Sequence, residues 1–230
     1  MWAFTEPRKV KALAFGLAVS VGGTAFATAK PVVAVVVNVK GEPWLDGKPL
    51  KKNAFVYLGS VIETRAGGCV AAALVTGAEV RLNERTEARL DGGGGREGTS
   101  VTLVSGQVWI RHLQGKAGLQ VRAPQAVVAA SGAEADVAVG SRTAVRVYEG
   151  SVDVTNDRGK QPVAANQRTE VGGTDQAPQA PTALLPKDFE TWHTGCAGQD
   201  LQTAPAPGRA ASPTLQIRRK PLKTAPSERK

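Results

Sequence analysis

The residue types in this chain that could carry out chemistry are few. His112 and His193 are the two histidines, and acid–base or nucleophilic catalysis would need one of them beside an activated serine or a metal. Neither is accompanied by a Gly-x-Ser-x-Gly elbow, and the chain has no His-Glu-x-x-His motif. Both therefore read as solvated or half-buried imidazoles. Glu63, Glu79, Glu134 and Asp136 could converge in space as the carboxylate pair of a glycoside hydrolase. Each, however, alternates with apolar neighbours, the pattern of a solvated strand face. The glycine run at 92–95 is followed by neither Gly-Lys-Ser/Thr nor a helix, so it reads as a hairpin tip rather than a phosphate loop. Cys69 and Cys196 lie 127 positions apart with no Cys-x-x-Cys spacing, which removes support for thiol–disulfide catalysis and for cysteine-ligated zinc. In an oxidising compartment they either close a disulfide or remain two free thiols. The expectation is a non-enzymatic chain without cofactor or metal.

The elements that must hold these residues are short strands. From Val32 to Val171 apolar residues recur with period two: Val80 and Leu82, Ala88 and Leu90, Val101 and Leu103, Val108 and Ile110, Leu119 and Val121, Val137 and Val139, Val145 and Val147, Val152 and Val154. Successive strand side chains point to opposite faces, so each run has one apolar and one polar face. Between the runs lie "LDGKPL" (45–50), "RAGG" (65–68), "DGGGGREG" (91–98), "QGKAG" (114–118) and "NDRGK" (156–160), whose Gly and Asn supply the positive φ angles of tight turns. This spacing predicts an all-β fold, either short twisted hairpins stacked as a solenoid-like roll or a sandwich. A short helix is expected once, in "ALLPKDFETWHTGC" (183–196), where Leu185, Phe189 and Trp192 share a face; it is expected to pack on the sheet pinned by Cys196, with an extended tether whose aromatics dock singly as the alternative.

The two ends differ from the middle. Residues 1–29 join a basic start (Arg8, Lys9, Lys11) to an apolar stretch and the small-x-small pattern Ala27-Thr28-Ala29. That is the layout of a secretory signal cleaved after Ala29, with an uncleaved anchor as the alternative. The mature chain is then expected to be periplasmic or secreted. Residues 203–230 are rich in Pro and Ala, carry Arg218, Arg219, Lys220 and Lys223, and have too few large apolar residues to offset their ordering entropy, so they read as a disordered basic tail. The net charge of +9 resides in these ends: three basic and one acidic side chain in 1–29, seven and one in 203–230, leaving 19 and 18 between. A near-neutral middle, with no aromatics interleaved among the tail's charges, argues against nucleic acid. The tail could instead approach peptidoglycan or anionic lipid. The expected organisation is a signal at 1–29, an all-β domain at 30–171, a linker with a short helix at 172–202, and the tail at 203–230.

The order of motifs resembles the FecR-domain family. It runs from "NAFVYLGSVIETRAGGCVAAALVTGAEVRLNERTEARL" through "VTLVSGQVWIRH" and "LQVRAPQAVVAASGAEADVAV" to "TAVRVYEGSVDVTNDRGKQPVAANQRTEV". Gly59, Thr64, Gly106, Val108, Pro124, Gly132, Val137, Gly150 and Val152 fall in the family's order, over roughly residues 53–171. Ala123, Ala133 and Ala135 depart from its usual Thr, Thr and Phe, and Asn166-Gln167 replaces Gly-Gln. The resemblance implies a divergent extracytoplasmic module that works through an unidentified envelope protein in sensing or signal transduction. Only eleven residues precede the apolar stretch, so the family's cytoplasmic anti-sigma part is expected to be missing. Gly59, Gly106, Gly132 and Gly150 are assigned to turns. The outward Arg146, Tyr148 and Asp153 are the residues expected to touch a partner.

Overall fold

The structure is a computed structural model, and it describes residues 30–92, 98–112 and 118–197. The proposed cleavage site at Ala27 and Ala29, and the tail residues Arg218, Arg219, Lys220 and Lys223, lie outside the described residues. In chain order the strands are β1 (Val32–Lys40), β2 (Trp44–Leu45), β3 (Lys48–Pro49), β4 (Phe55–Tyr57), β5 (Val61–Glu63), β6 (Cys69–Leu74), β7 (Glu79–Leu82), β8 (Glu87–Leu90) and β9 (Thr99–His112). There follow β10 (Leu119–Arg122), β11 (Val127–Ala130), β12 (Ala133–Val139), β13 (Thr143–Glu149), β14 (Ser151–Asn156), β15 (Gly159–Ala164), β16 (Gln167–Val171) and β17 (Thr182–Ala183).

They make two layers joined through β9. The first layer runs β4, β1, β6, β7, β9, β12, β13, β16, β17. The second runs β3, β2, β5, β8, β9, β10, β11, β14, β15. All pairings are antiparallel except β9 with β10. The 14 residues of β9 serve both layers because the strand turns at Gly106: Val101–Ser105 pair with β8, and Gly106–His112 pair with β12. Gly106 has φ +88°, and a Cβ there would lie 2.4 Å from Thr86 Oγ1 and 2.6 Å from Arg85 O. Only glycine permits both the angle and the approach.

The inner faces of both layers meet in one core. Every inward residue named by the period-two pattern is buried except Val139, which packs against the core's margin. Antiparallel sheets with one dry and one outer face show this alternation. Gly59, Gly132 and Gly150 all have positive φ, and so does Asn166 at +60°. Asn tolerates the left-handed region better than most residues, so the turn at Asn166 forms without a glycine. No helix of the described residues is long and apolar enough to cross a membrane.

Candidate functional site

The outer face of the first layer holds the unusual chemistry. Strand register aligns one residue from each of seven strands into a single transverse row: Asn38 (β1), Ala71 (β6), Arg81 (β7), Trp109 (β9), Asp136 (β12), Arg146 (β13) and Arg168 (β16). Each is an outward member of its alternation, since the flanking residues Val80, Leu82, Val108, Ile110, Val137, Val145 and Val147 point into the core.

The segment after β17 crosses this row and follows its order. Asp188 takes the Arg168 Nη1 donor at 3.4 Å, and Glu190 pairs with Arg146 Nη2 at 3.4 Å. Trp192 Nε1 donates to Asp136 Oδ2 at 3.2 Å. The His193 ring stacks on Trp109 with centroids 4.9 Å apart and planes 6° from parallel, and its carbonyl accepts from Arg81 Nη1 at 2.8 Å. The Cys196 carbonyl accepts from Asn38 Nδ2 at 2.9 Å, and Cys196 is joined to Cys69 by a disulfide. Cys69, Cys196 and Ala71 form a small buried cluster with Val37 against it. Residues 184–197 are thus a strap laid across the strands and locked at its far end.

The short helix expected in 183–196 is present, as 3-10 rather than α turns, and Cys196 pins it. The two turns are Pro186–Asp188 and Trp192–Cys196; Phe189 lies against Tyr148 while remaining 45% exposed, and Leu185 is 48% exposed. The physical reason for two turns lies in the spacing of the strap's anchors. Six inter-strand steps of about 4.8 Å separate β16 from β1, whereas eight helical steps of about 1.5 Å would span only ~12 Å. One continuous α-helix could not reach from Arg168 to Asn38, so the helical path is broken after Asp188, where Phe189 is extended.

Asp136 is the centre of the site and is wholly buried. Its carboxylate accepts from Gln107 Nε2 at both oxygens (2.9 Å each), from Arg146 Nη1 at 3.1 Å and from Trp192. Burial pushes it up to about 6, against the pull of the Gln107 donor and the Arg146 guanidinium. The reading of Asp136 as a solvated strand-face carboxylate is therefore corrected: it points outward, as the alternation says, but beneath the strap. Glu134 accepts from Trp109 Nε1 at 3.2 Å, and its burial raises it. Glu79 pairs with Arg81, while Glu63 lies on β5 in the other layer. The four carboxylates do not converge as a catalytic pair.

His193 is pushed down to about 4, first by burial and then by the Arg81 charge, so it is neutral where it stacks. His112 is buried, with neither ring nitrogen bonded. Among the described residues no three His, Cys, Asp or Glu side chains gather as metal ligands.

The residues expected to touch a partner are divided. Tyr148 is covered in cis: its ring lies 5.9 Å from Phe189 and 6.2 Å from His193, its hydroxyl accepts from Glu190 N at 3.3 Å, and burial holds the phenol protonated. Arg146 is committed to Asp136 and Glu190. Only Asp153, on β14 of the other layer and paired with Lys160 at 2.9 Å, is open to solvent. Period two separates outward from inward residues; it carries no sign that a segment forty positions later will lie over them.

Next to the strap's locked end, the same outer face is bare. The row Phe55, Val35, Ala73 crosses β4, β1 and β6, with Tyr57 and Val75 beside it. Phe55 is 56%, Val75 56% and Tyr57 42% exposed. β4 pairs with β1 alone among the described residues, leaving its other edge open.

Residues 60–153 match the family model described as FecR protein. Two crystal structures of a "putative anti-sigma factor" from Parabacteroides distasonis, at 1.65 and 2.50 Å resolution, are similar to this chain at 22% identity, with TM-scores of 0.49 and 0.48. The match covers 54% of this chain and 59% of the solved one, so the chain spans well under two thirds of that protein's length. No curated protein matches the chain.

Proposed function

We propose, from the premise that residues 60–153 form a FecR-family segment, that the chain is an exported, non-enzymatic interaction or sensing module of the cell envelope, acting in signal transduction. Its mature form works outside the cytoplasm after removal of residues 1–29, and its partner is another envelope protein. The observation that carries this reading is the unpaired β4 edge, with Phe55 and Tyr57 exposed on the outward side and Val35, Ala73 and Val75 continuing the apolar surface. Exposed apolar clusters mark protein contacts. An open strand edge can also accept an added strand, whose main-chain bonds give affinity while side-chain pockets give selectivity.

The test is capture of envelope proteins by the tagged mature chain, by a Phe55→Ser/Tyr57→Ser variant, and by a chain lacking residues 203–230. The reading expects one protein to be captured by the mature chain and by the chain without its tail, and lost with the double substitution. Capture that depends on the tail and ignores Phe55 and Tyr57 would instead support binding of wall glycan or anionic lipid.

A further inference from the structure

We infer that the transverse row is a peptide-reading face, and that the strap is its in-cis occupant, held where an acidic, aromatic segment of a partner protein binds. This deepens the reading of the chain as an interaction module and rests on it. The row presents three guanidiniums, Arg81, Arg146 and Arg168, together with the flat indole of Trp109 and the acceptor oxygens of Asp136. The strap answers them in order with Asp188, Glu190, an indole N–H, an imidazole ring and a backbone carbonyl. A partner that fits must offer the same sequence of groups: carboxylates toward β13 and β16, an aromatic donor over β12, and a planar ring over β9.

The strap is held in a way that allows exchange. Leu184 N donates to Asn166 O, but beyond Leu184 no backbone-to-backbone bond joins it to the sheet among the described residues. The remaining non-covalent contacts run through side chains. The fit is also incomplete, because Arg146 Nε and His193 Nδ1 are buried there without a partner. A buried donor or acceptor left unpaired carries a free-energy penalty, so a segment with one more acceptor near Arg146 binds better than the strap does. The disulfide sets the direction of the competition. It tethers Cys196, so residues 184–195 lift only as a loop fixed at both ends, and their effective concentration at the face stays in the millimolar range. A free peptide therefore loses to the strap until the strap's own contacts are weakened.

The experiment uses the full chain carrying Trp192→Ala/His193→Ala, which removes two contacts from the strap and leaves every residue of the row intact. The probe is a fluorescein-labelled peptide of residues 184–197 with Ser in place of Cys196, and binding is read by anisotropy. The double variant is expected to bind the peptide at least ten-fold more tightly than the unsubstituted chain, and adding Arg146→Ala is expected to remove the gain. Amide exchange across β12 and β13 is measured in parallel. Equal, weak binding by the variant and the unsubstituted chain, with native-like protection, would overturn the inference. Loss of that protection in the double variant would overturn it too, because the strap would then be part of the core rather than an occupant. If the peptide fails while envelope capture through Phe55 and Tyr57 persists, this inference falls alone. If the peptide binds and no envelope protein is captured, the module reading falls.

Discussion

The indole of Trp192 donates to the buried carboxylate of Asp136 from 56 residues away in sequence, at 3.2 Å. Each Asp136 oxygen accepts two donors, and Gln107 cannot turn its amide over to offer an acceptor, because its Oε1 already accepts from Asn83 Nδ2 at 2.7 Å. Asp136→Asn would set an N–H₂ group against donors whichever way it is placed. A loss of about 1–2 kcal/mol in urea unfolding is expected, the scale of a buried donor left without an acceptor. A change within ~0.5 kcal/mol would show that the network contributes little.

Three of the positive-φ glycines should separate into two kinds. At Gly150, with φ +72°, an added Cβ would lie 2.0 Å from Gly132 O, whereas at Gly59, with φ +80°, nothing lies within 4 Å. Gly59→Ala meets only the left-handed backbone and should cost about 1–2 kcal/mol. Gly150→Ala and Gly106→Ala also meet backbone atoms and should lose at least twice as much, or fail to fold. Thermal melts of the three variants rank them.

Breaking the Cys69–Cys196 bond should destabilise the chain. The bond closes a loop of 127 positions, which the chain-entropy model values at roughly 4–5 kcal/mol. A Cys69→Ser/Cys196→Ser variant is expected to lose about that much, with the loss reproduced by reductant on the unsubstituted chain and absent when reductant is added to the variant.

The pH response should show two opposed terms. His193 titrates near 4 in the fold, below its ordinary 6.5, so the stability it contributes is full above 6.5 and is lost as pH falls through 4. Asp136 titrates near 6, above its ordinary 3.8, so its contribution is full below 3.8 and is lost as pH rises through 6. Between 4 and 6 they offset each other. His193→Phe keeps a ring on Trp109 and removes one term. On acidification from pH 6.5 to 4.5 its Tm should therefore rise relative to that of the unsubstituted chain, by about 2–4 °C for each kcal/mol. Parallel Tm curves would contradict this.

Much of the sheet can be read directly from the alternation. Val80 and Leu82, Val108 and Ile110, and Val152 and Val154 are buried as their spacing requires, and the four glycines sit at positive φ. The site is far less legible. Its row exists only through the pairing register of seven strands, and register depends on contacts between residues distant in sequence. Tyr148 and Arg146 are outward, as alternation states, yet the strap covers them. The strap's helical signal is realised as two 3-10 turns, because the distance between its anchors on the sheet exceeds what one continuous α-helix spans. The legible part of the site is its lock: Cys196, immediately after "DFETWHTG", is read from the sequence as pinning that segment, and the bond to Cys69 is formed.

The proposed function requires that the outer face of the first layer meet another protein. A photo-crosslinking residue at position 57, on the open β4 edge, tests this in the full chain in its own cells, with the same residue at exposed position 122 on the second layer as the comparison. A discrete protein adduct is expected from position 57 and none from position 122. An adduct from position 122 alone, or from neither position, would contradict the proposed function.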